Sequence, residues 1–237
     1  MTATNQERLL LIVQANTTSL PLLEEFRQFH LSVRQKLWSV DYFNRKIHEL
    51  KPEILYEQRT QGNILVLDQS TDTEGFGFYA NLLLDGFLMN AMSALDTLAH
   101  EIKVLYRFHR VPRKIYIRTI KGYLIREHLH CALTTYLSTE LAKPWFDTFA
   151  TYRHCTTHES LVGANVRFEA SLITGDLQDA YVPLPDDPRR KPFSYRHARE
   201  LKSYCDRVKN YVTALVRHSC YCIIQDINSA GSGLPIT

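Results

Sequence analysis

The stretch FYANLLLDGFLMNAMSALDTLAHE, residues 78–101, decides the fold. Read at 3.6 residues per turn it is apolar almost all the way round between Leu82 and Leu88. A surface helix keeps one polar face, so this spacing predicts a central helix, from about Phe78 to Phe108, ending before Pro112. Ala91, Ala94 and Ala99 are small enough to admit a neighbouring helix closely. Asn90, Asp96 and His100 interrupt the apolar setting, and the last two stand one turn apart, so they can pair. Two readings of Asp96 stay open. It satisfies nearby polar groups within the core, or it faces a site and orients an imidazole.

Working outward, Thr17, Thr18 and Ser19 offer caps and Pro21 sits in a first turn. Leu23, Phe26, Val33, Leu37, Val40, Ile47 and Leu50 then recur at helical spacing until Pro52 stops them. Residues 53–70 read as a small β-hairpin insertion around Thr60-Gln61-Gly62-Asn63, with Gly75 and Gly77 punctuating its exit. Residues 113–141 read as one further helix with the stripe Ile117, Ile120, Leu124, Leu129, Leu133 and Leu137. Its polar side opens basic. Arg113, Lys114, Arg118 and Lys121, with Tyr106, Tyr116 and Tyr123 interleaved, form a candidate RNA-binding surface. A solvated helix face explains the same residues.

Pro144 restarts a helix, and Trp145, Phe146 and Phe149 bury it before Thr151-Tyr152-Arg153-His154-Cys155-Thr156-Thr157-His158-Glu159. Few structural demands ask for an arginine and two histidines so close together. A guanidinium matches phosphate oxygens with paired donors, and imidazole gives or takes a proton near neutrality. On a helix Arg153 and His158 stand about 140° apart and roughly 7.5 Å along the axis, so one helix does not easily aim both at one atom. A two-fold axis past the segment lets two copies line a common groove. His154 and His158 share a face, which suits a transition ion, yet no further ligands stand at a familiar spacing. A third reading is a helical scaffold in which these residues only line an interface.

An arginine, a polar residue after it, and a histidine at the fifth position resemble the signature of HEPN domains. That resemblance implies an up-and-down all-α bundle, here of four to five long helices with small β-hairpin insertions, commonly dimeric. It also implies a metal-independent endoribonuclease whose active site forms where two motifs meet, in toxin–antitoxin or host-defence settings. Arg153 would then hold the phosphate and His158 move a proton. His154 takes the place where the family most often has asparagine. Asp96, Tyr152 and Thr157 would support them. The implied partners are RNA, a second copy of the chain, and an antitoxin or regulatory protein, with no cofactor or metal.

The rest of the chain sets bounds. Residues 165–185 alternate around Thr174-Gly175-Asp176 as a second hairpin, and 186–192 read as a charged loop. Ser194 would cap a last helix to Ile227, and 229–237 read as a flexible tail. With 237 residues, 45% hydrophobic and 22% charged, a single domain over 1–237 is expected, opened by a short helix within 1–16. A net charge of +3 is too small to mark a nucleic-acid binder, so any basic footprint is local. Five scattered cysteines form no disulfide framework. The run Leu9–Val13 is too short to span a bilayer and lacks the flanks of a secretion signal. A cytoplasmic protein with no membrane partner is the expectation.

Overall fold

The computed structural model describes residues 4–53, 72–108, 112, 114–128, 130–156, 166–171, 176–197 and 199–229. The chain is mostly helical: α1 Asn5–Asn16, α2 Leu20–His48, α3 Asp72–Leu105, α4 Ile117–Glu127, α5 Ala132–Glu140 and α6 Pro144–His154. Strands β1 Arg167–Ala170, β2 Leu177–Tyr181, β3 Pro183–Leu184 and β4 Arg199–Glu200 follow, and α7 Leu201–Ser229 closes the described chain. The all-α reading holds. Three helices among the described residues are long, not four or five, because the element expected over 113–141 is two short helices.

Two compact units divide the chain, and α2, α3, α6 and α7 run through both. That division stands beside the single domain expected over 1–237. The first unit takes residues 1–39, 90–147 and 210–237. Its first helix begins with Thr4 accepting from the Glu7 backbone while the Glu7 carboxylate accepts from Thr4 N, a reciprocal cap. Leu9, Phe26, Leu95, Ile102, Ile120 and Leu215 are buried in its core.

Two of this unit's helix ends explain where the sequence misleads. Beyond Leu105 the chain turns at Arg107, whose φ of 50° is left-handed. Phe108 N donates to Lys103 O and Arg107 N to Val104 O, so α3 stops three residues before the expected Phe108 and satisfies its last carbonyls. Between α4 and α5 the chain breaks because a carboxylate from α7 enters. Asp226 accepts from Ala132 N at 2.7 Å and Leu133 N at 3.2 Å, and so caps α5. Tyr106 Oη donates to the same carboxylate at 2.6 Å. Nothing local to 113–141 announces a cap nearly a hundred residues away.

The second unit takes residues 40–89 and 148–209. Leu83, Leu84, Phe87, Phe149, Tyr152 and Leu184 are buried in it. Here α2 and α3 approach closely at Gly86, where a Cβ would stand 2.4 Å from the Phe43 ring. Polar links join α2 to α7: Lys209 Nζ to Asp41 at 2.5 Å, and Asn44 Nδ2 to Asp206 at 2.8 Å.

The hairpin expected over 165–185 is present as β1 and β2, antiparallel with Arg167 opposite Tyr181 and an irregularity between Glu169 and Ala170. A second pairing sets Pro183 against Glu200 and Leu184 against Arg199. The last helix starts at Leu201 and not at Ser194. Its first amides, Lys202 N and Ser203 N, donate to the Glu200 carboxylate, while the Ser194 hydroxyl donates to Asp186. The α3 helix reaches back to Asp72, through both glycines read as punctuation. Most of the 53–70 hairpin and residues 230–237 of the tail lie outside the described residues. One stretch, Gly75–Leu105 of α3, is long and apolar enough to cross a membrane, and half of its most apolar window is buried inside the protein.

Candidate functional site

Helix α6 builds the site from a three-residue rhythm. Phe146, Phe149, Tyr152 and Cys155 are all buried, so each turn sends one side chain into the core. At 100° per residue, His154 then falls on the opposite side from that stripe and Arg153 to its flank. The structure agrees: His154 is exposed and Arg153 is half-buried. The helix opens into a wider, π-type turn at Cys155–Thr156, and the Thr156 hydroxyl donates to Arg153 O at 3.0 Å. Such turns interrupt the regular ladder and recur at functional sites. Both motif side chains therefore leave the helix where its geometry changes.

Tyr152 holds this helix end to the rest of the second unit. It is fully buried, its hydroxyl donates to the Pro185 carbonyl, and its ring lies 5.0 Å from that of Tyr204. Burial pushes its phenol up to about 12, although the Arg199 guanidinium beside the hydroxyl pulls the other way. At neutral pH Tyr152 is an anchor and holds its proton.

Asp186 follows Pro185 and organises the next segment. Its carboxylate accepts from Ser194 Oγ at 2.8 Å, Arg196 N at 2.7 Å and His197 N at 2.9 Å. His197 Nδ1 lies 2.9 Å from the same group, and Arg199 Nη1 donates to the Asp186 carbonyl at 2.8 Å. Burial pushes the Asp186 carboxyl up, but the donors from His197, Ser194 and Arg196 together hold it well below the usual range. An ionised carboxylate thus ties Asp186 to residues 194–197. Sequence reading missed Asp186 and Arg199; the signal was an aspartate followed at eight to eleven residues by serine, arginine and histidine.

The other expected site residues are spread over both units or lie outside the described residues. His158 and Thr157 lie outside the described residues, as does Arg113. Asp96, Lys114, Arg118 and Lys121 belong to the first unit, whereas Arg153, His154 and Tyr152 belong to the second. Asp96 Oδ1 accepts from Ile117 N at 3.1 Å, which supplies α4 with the cap its own N-cap residue Tyr116 lacks. The His100 ring stacks on Phe29 at 5.1 Å. Burial lowers the His100 imidazole below its usual value, and Lys103 adds to that.

The basic helix face is partly committed. Arg118 pairs with Asp147 and sits 4.9 Å over the Phe146 ring. Lys114 is exposed and Lys121 half-buried. Tyr106, expected among the stacking aromatics, is instead buried against Asp226, and burial raises its phenol well above normal. A hollow of about 470 Å³ lined by His130, Gln225, Asn228 and Ser229 opens beside that carboxylate. Three donors already occupy the Asp226 carboxylate that borders it.

None of the five cysteines is in a disulfide, and Cys155 is buried beneath the motif. Among the described residues no three His, Cys, Asp or Glu side chains gather as metal ligands. No family model, no curated protein and no solved structure matches the chain.

Proposed function

We propose that the protein is a metal-independent endoribonuclease of HEPN type, working at a composite site where two copies of the Arg153–His158 segment meet. The observation that supports this most is the exit of Arg153 and His154 from α6 at the π-type turn, on a helix end anchored by Tyr152. A half-buried guanidinium in a partly desolvated setting binds a phosphodiester more strongly than one in open water.

In this reading the substrate supplies its own nucleophile. The ribose 2′-oxygen attacks the adjacent phosphorus while its proton passes to an imidazole, His158. The bond to the 5′-oxygen breaks, and that oxygen takes a proton from a second imidazole, for which exposed His154 is the other candidate in the motif. Arg153 stabilises the negative charge gathered on the phosphoryl oxygens. Products are a 2′,3′-cyclic phosphate and a 5′-hydroxyl. Proton transfer of this kind contributes about 10²- to 10⁴-fold to rate. An antitoxin or regulatory protein fits such an activity.

The test is cleavage, in excess chelator, of a DNA strand carrying a single ribonucleotide. Cutting only on the 3′ side of that ribonucleotide, leaving a cyclic phosphate, is the expected result. Cutting of the all-DNA strand, or none of either by a dimeric protein, would replace the reading with another nuclease chemistry or with a helical scaffold.

A further inference from the structure

The charge balance of the chain is uneven. Residues 186–199 carry five arginine and lysine side chains and two carboxylates, an excess of three that equals the +3 of the whole protein. Everything else is balanced on average. This local basic segment lies in the second unit, directly after the segment that Tyr152 anchors; residues 107–126 of the first unit form another, with seven arginine and lysine side chains and no carboxylate.

Its cations face solvent. Arg189, Arg190, Lys191 and Arg196 are exposed, with the Arg190 side chain 86% accessible. Arg189 and Arg190 share the single carboxylate of Asp187, at 3.0 and 3.4 Å. Arg190 makes one exposed contact, a kind worth little, so a phosphate can displace it at small cost, whereas Arg189 grips the carboxylate with two donors, at 3.0 and 3.2 Å.

Aromatic rings stand among the cations. The Lys191 ammonium is 6.0 Å from the Phe193 ring centre, and the Arg167 guanidinium of β1 is 5.2 Å from that of Tyr195. The two rings are 6.5 Å apart and edge-on, so their planes differ by 76°. Both are half-buried. Asp186 N donates to Ser194 O between the two rings, and the Asp186 carboxylate accepts from the Ser194 hydroxyl and from the amides of Arg196 and His197 just beyond them, so the surface exists before any ligand arrives. A preformed surface loses less ordering entropy on binding.

We infer that residues 189–196, with Arg167, form a docking surface for single-stranded RNA, the cations tracking phosphates and Phe193 and Tyr195 each stacking a base. The inference rests on the ribonuclease reading for the choice of RNA, and it adds the substrate class and the surface that holds it. Rings at steep angles suit a flexible strand, whose bases can turn separately; a duplex keeps its bases stacked on each other. The surface also sits beside Arg199, which reaches the motif helix through Tyr152.

The test is binding of a fluorescent 2′-O-methyl oligouridine, which cannot be cut, to the full chain and to R189A/R190A/K191A/R196A. Wild type should bind it, and the quadruple variant should bind at least about 10-fold more weakly, with a salt slope lower by roughly 3, at about 0.7 per lost phosphate contact. Y195A should lose about 5-fold or more with an unchanged slope. R190E alone, at an exposed position, should weaken binding as well, which keeps the test intact if the quadruple variant folds poorly. Equal binding by wild type and the variants would overturn the proposal, and so would preference for an acidic polypeptide or for duplex RNA. Binding without any cutting of ordinary RNA would sink the ribonuclease reading and leave the docking surface standing.

Discussion

The Tyr152 hydroxyl donates to the Pro185 carbonyl, and this bond ties the helix that carries Arg153 to the segment organised by Asp186. Removing the hydroxyl leaves a carbonyl in the core without that donor. Tyr152→Phe should cost about 1 to 3 kcal/mol of stability. Tyr152→Ala, which also empties a fully buried ring site, should cost about 3 to 5 kcal/mol. Urea unfolding measures both, and equal stability of all three proteins would show that the anchor contributes nothing.

Asp186 should govern part of the acid response. Its folded carboxyl lies well below the ordinary range, so the unfolded chain takes up the proton first as pH falls. Stability from Asp186 is therefore fully present above about pH 4 and is lost as pH drops from there toward the folded value. Asp186→Asn should lower the urea midpoint at neutral pH, and the gap to wild type should shrink as the solution is acidified below about pH 4. A gap that stays constant down to acid pH would remove the ionised carboxylate from the account.

In the first unit, His30 Nδ1 and Glu101 Oε1 meet at 2.9 Å with both side chains 1% exposed. Removing one member strands the other in the core. Glu101→Ala should cost about 3 to 5 kcal/mol, whereas replacing both residues with apolar ones of similar volume should cost much less. A double-variant comparison by denaturant unfolding separates these outcomes. Additive losses would mean the pair does not interact.

Asp226 is the reason the chain turns between α4 and α5, since it accepts from Ala132 N, Leu133 N and the Tyr106 hydroxyl. Asp226→Ala removes a helix cap and a buried bond together, a loss of about 2 to 4 kcal/mol. Hydrogen exchange at the amides of Ala132 and Leu133 should rise in the variant by more than at α2. Unchanged protection there would assign the break to another cause.

Much of this architecture was legible in spacing. The apolar residues of 78–101 announced a central helix, and the recurrence from Leu23 to Leu50 announced α2 within two residues of its end at His48. Local signals of that kind report what each helix buries. They do not report a cap that comes from elsewhere, which is why Asp226 splitting 113–141 and Glu200 starting α7 were invisible. At the site, the buried rhythm of Phe149 and Tyr152 fixed which side Arg153 and His154 take. The sequence points to Arg113, Lys114, Arg118 and Lys121 as RNA-facing residues, because tyrosines interleave with these cations. Burial takes Tyr106 out of that face, and the run Arg189-Arg190-Lys191 reads by its composition as a charged loop. Its rings, Phe193 and Tyr195, were the overlooked sign.

The most direct measurement is cleavage of a mixed RNA pool, in excess chelator, by wild type, Arg153→Ala and His158→Ala, after light scattering has shown the same mass for all three. Wild type should cut and leave 2′,3′-cyclic phosphate ends, and each variant should be slower by about 10²-fold or more. Equal cutting by all three would contradict the assignment of the Arg153–His158 segment as the active site.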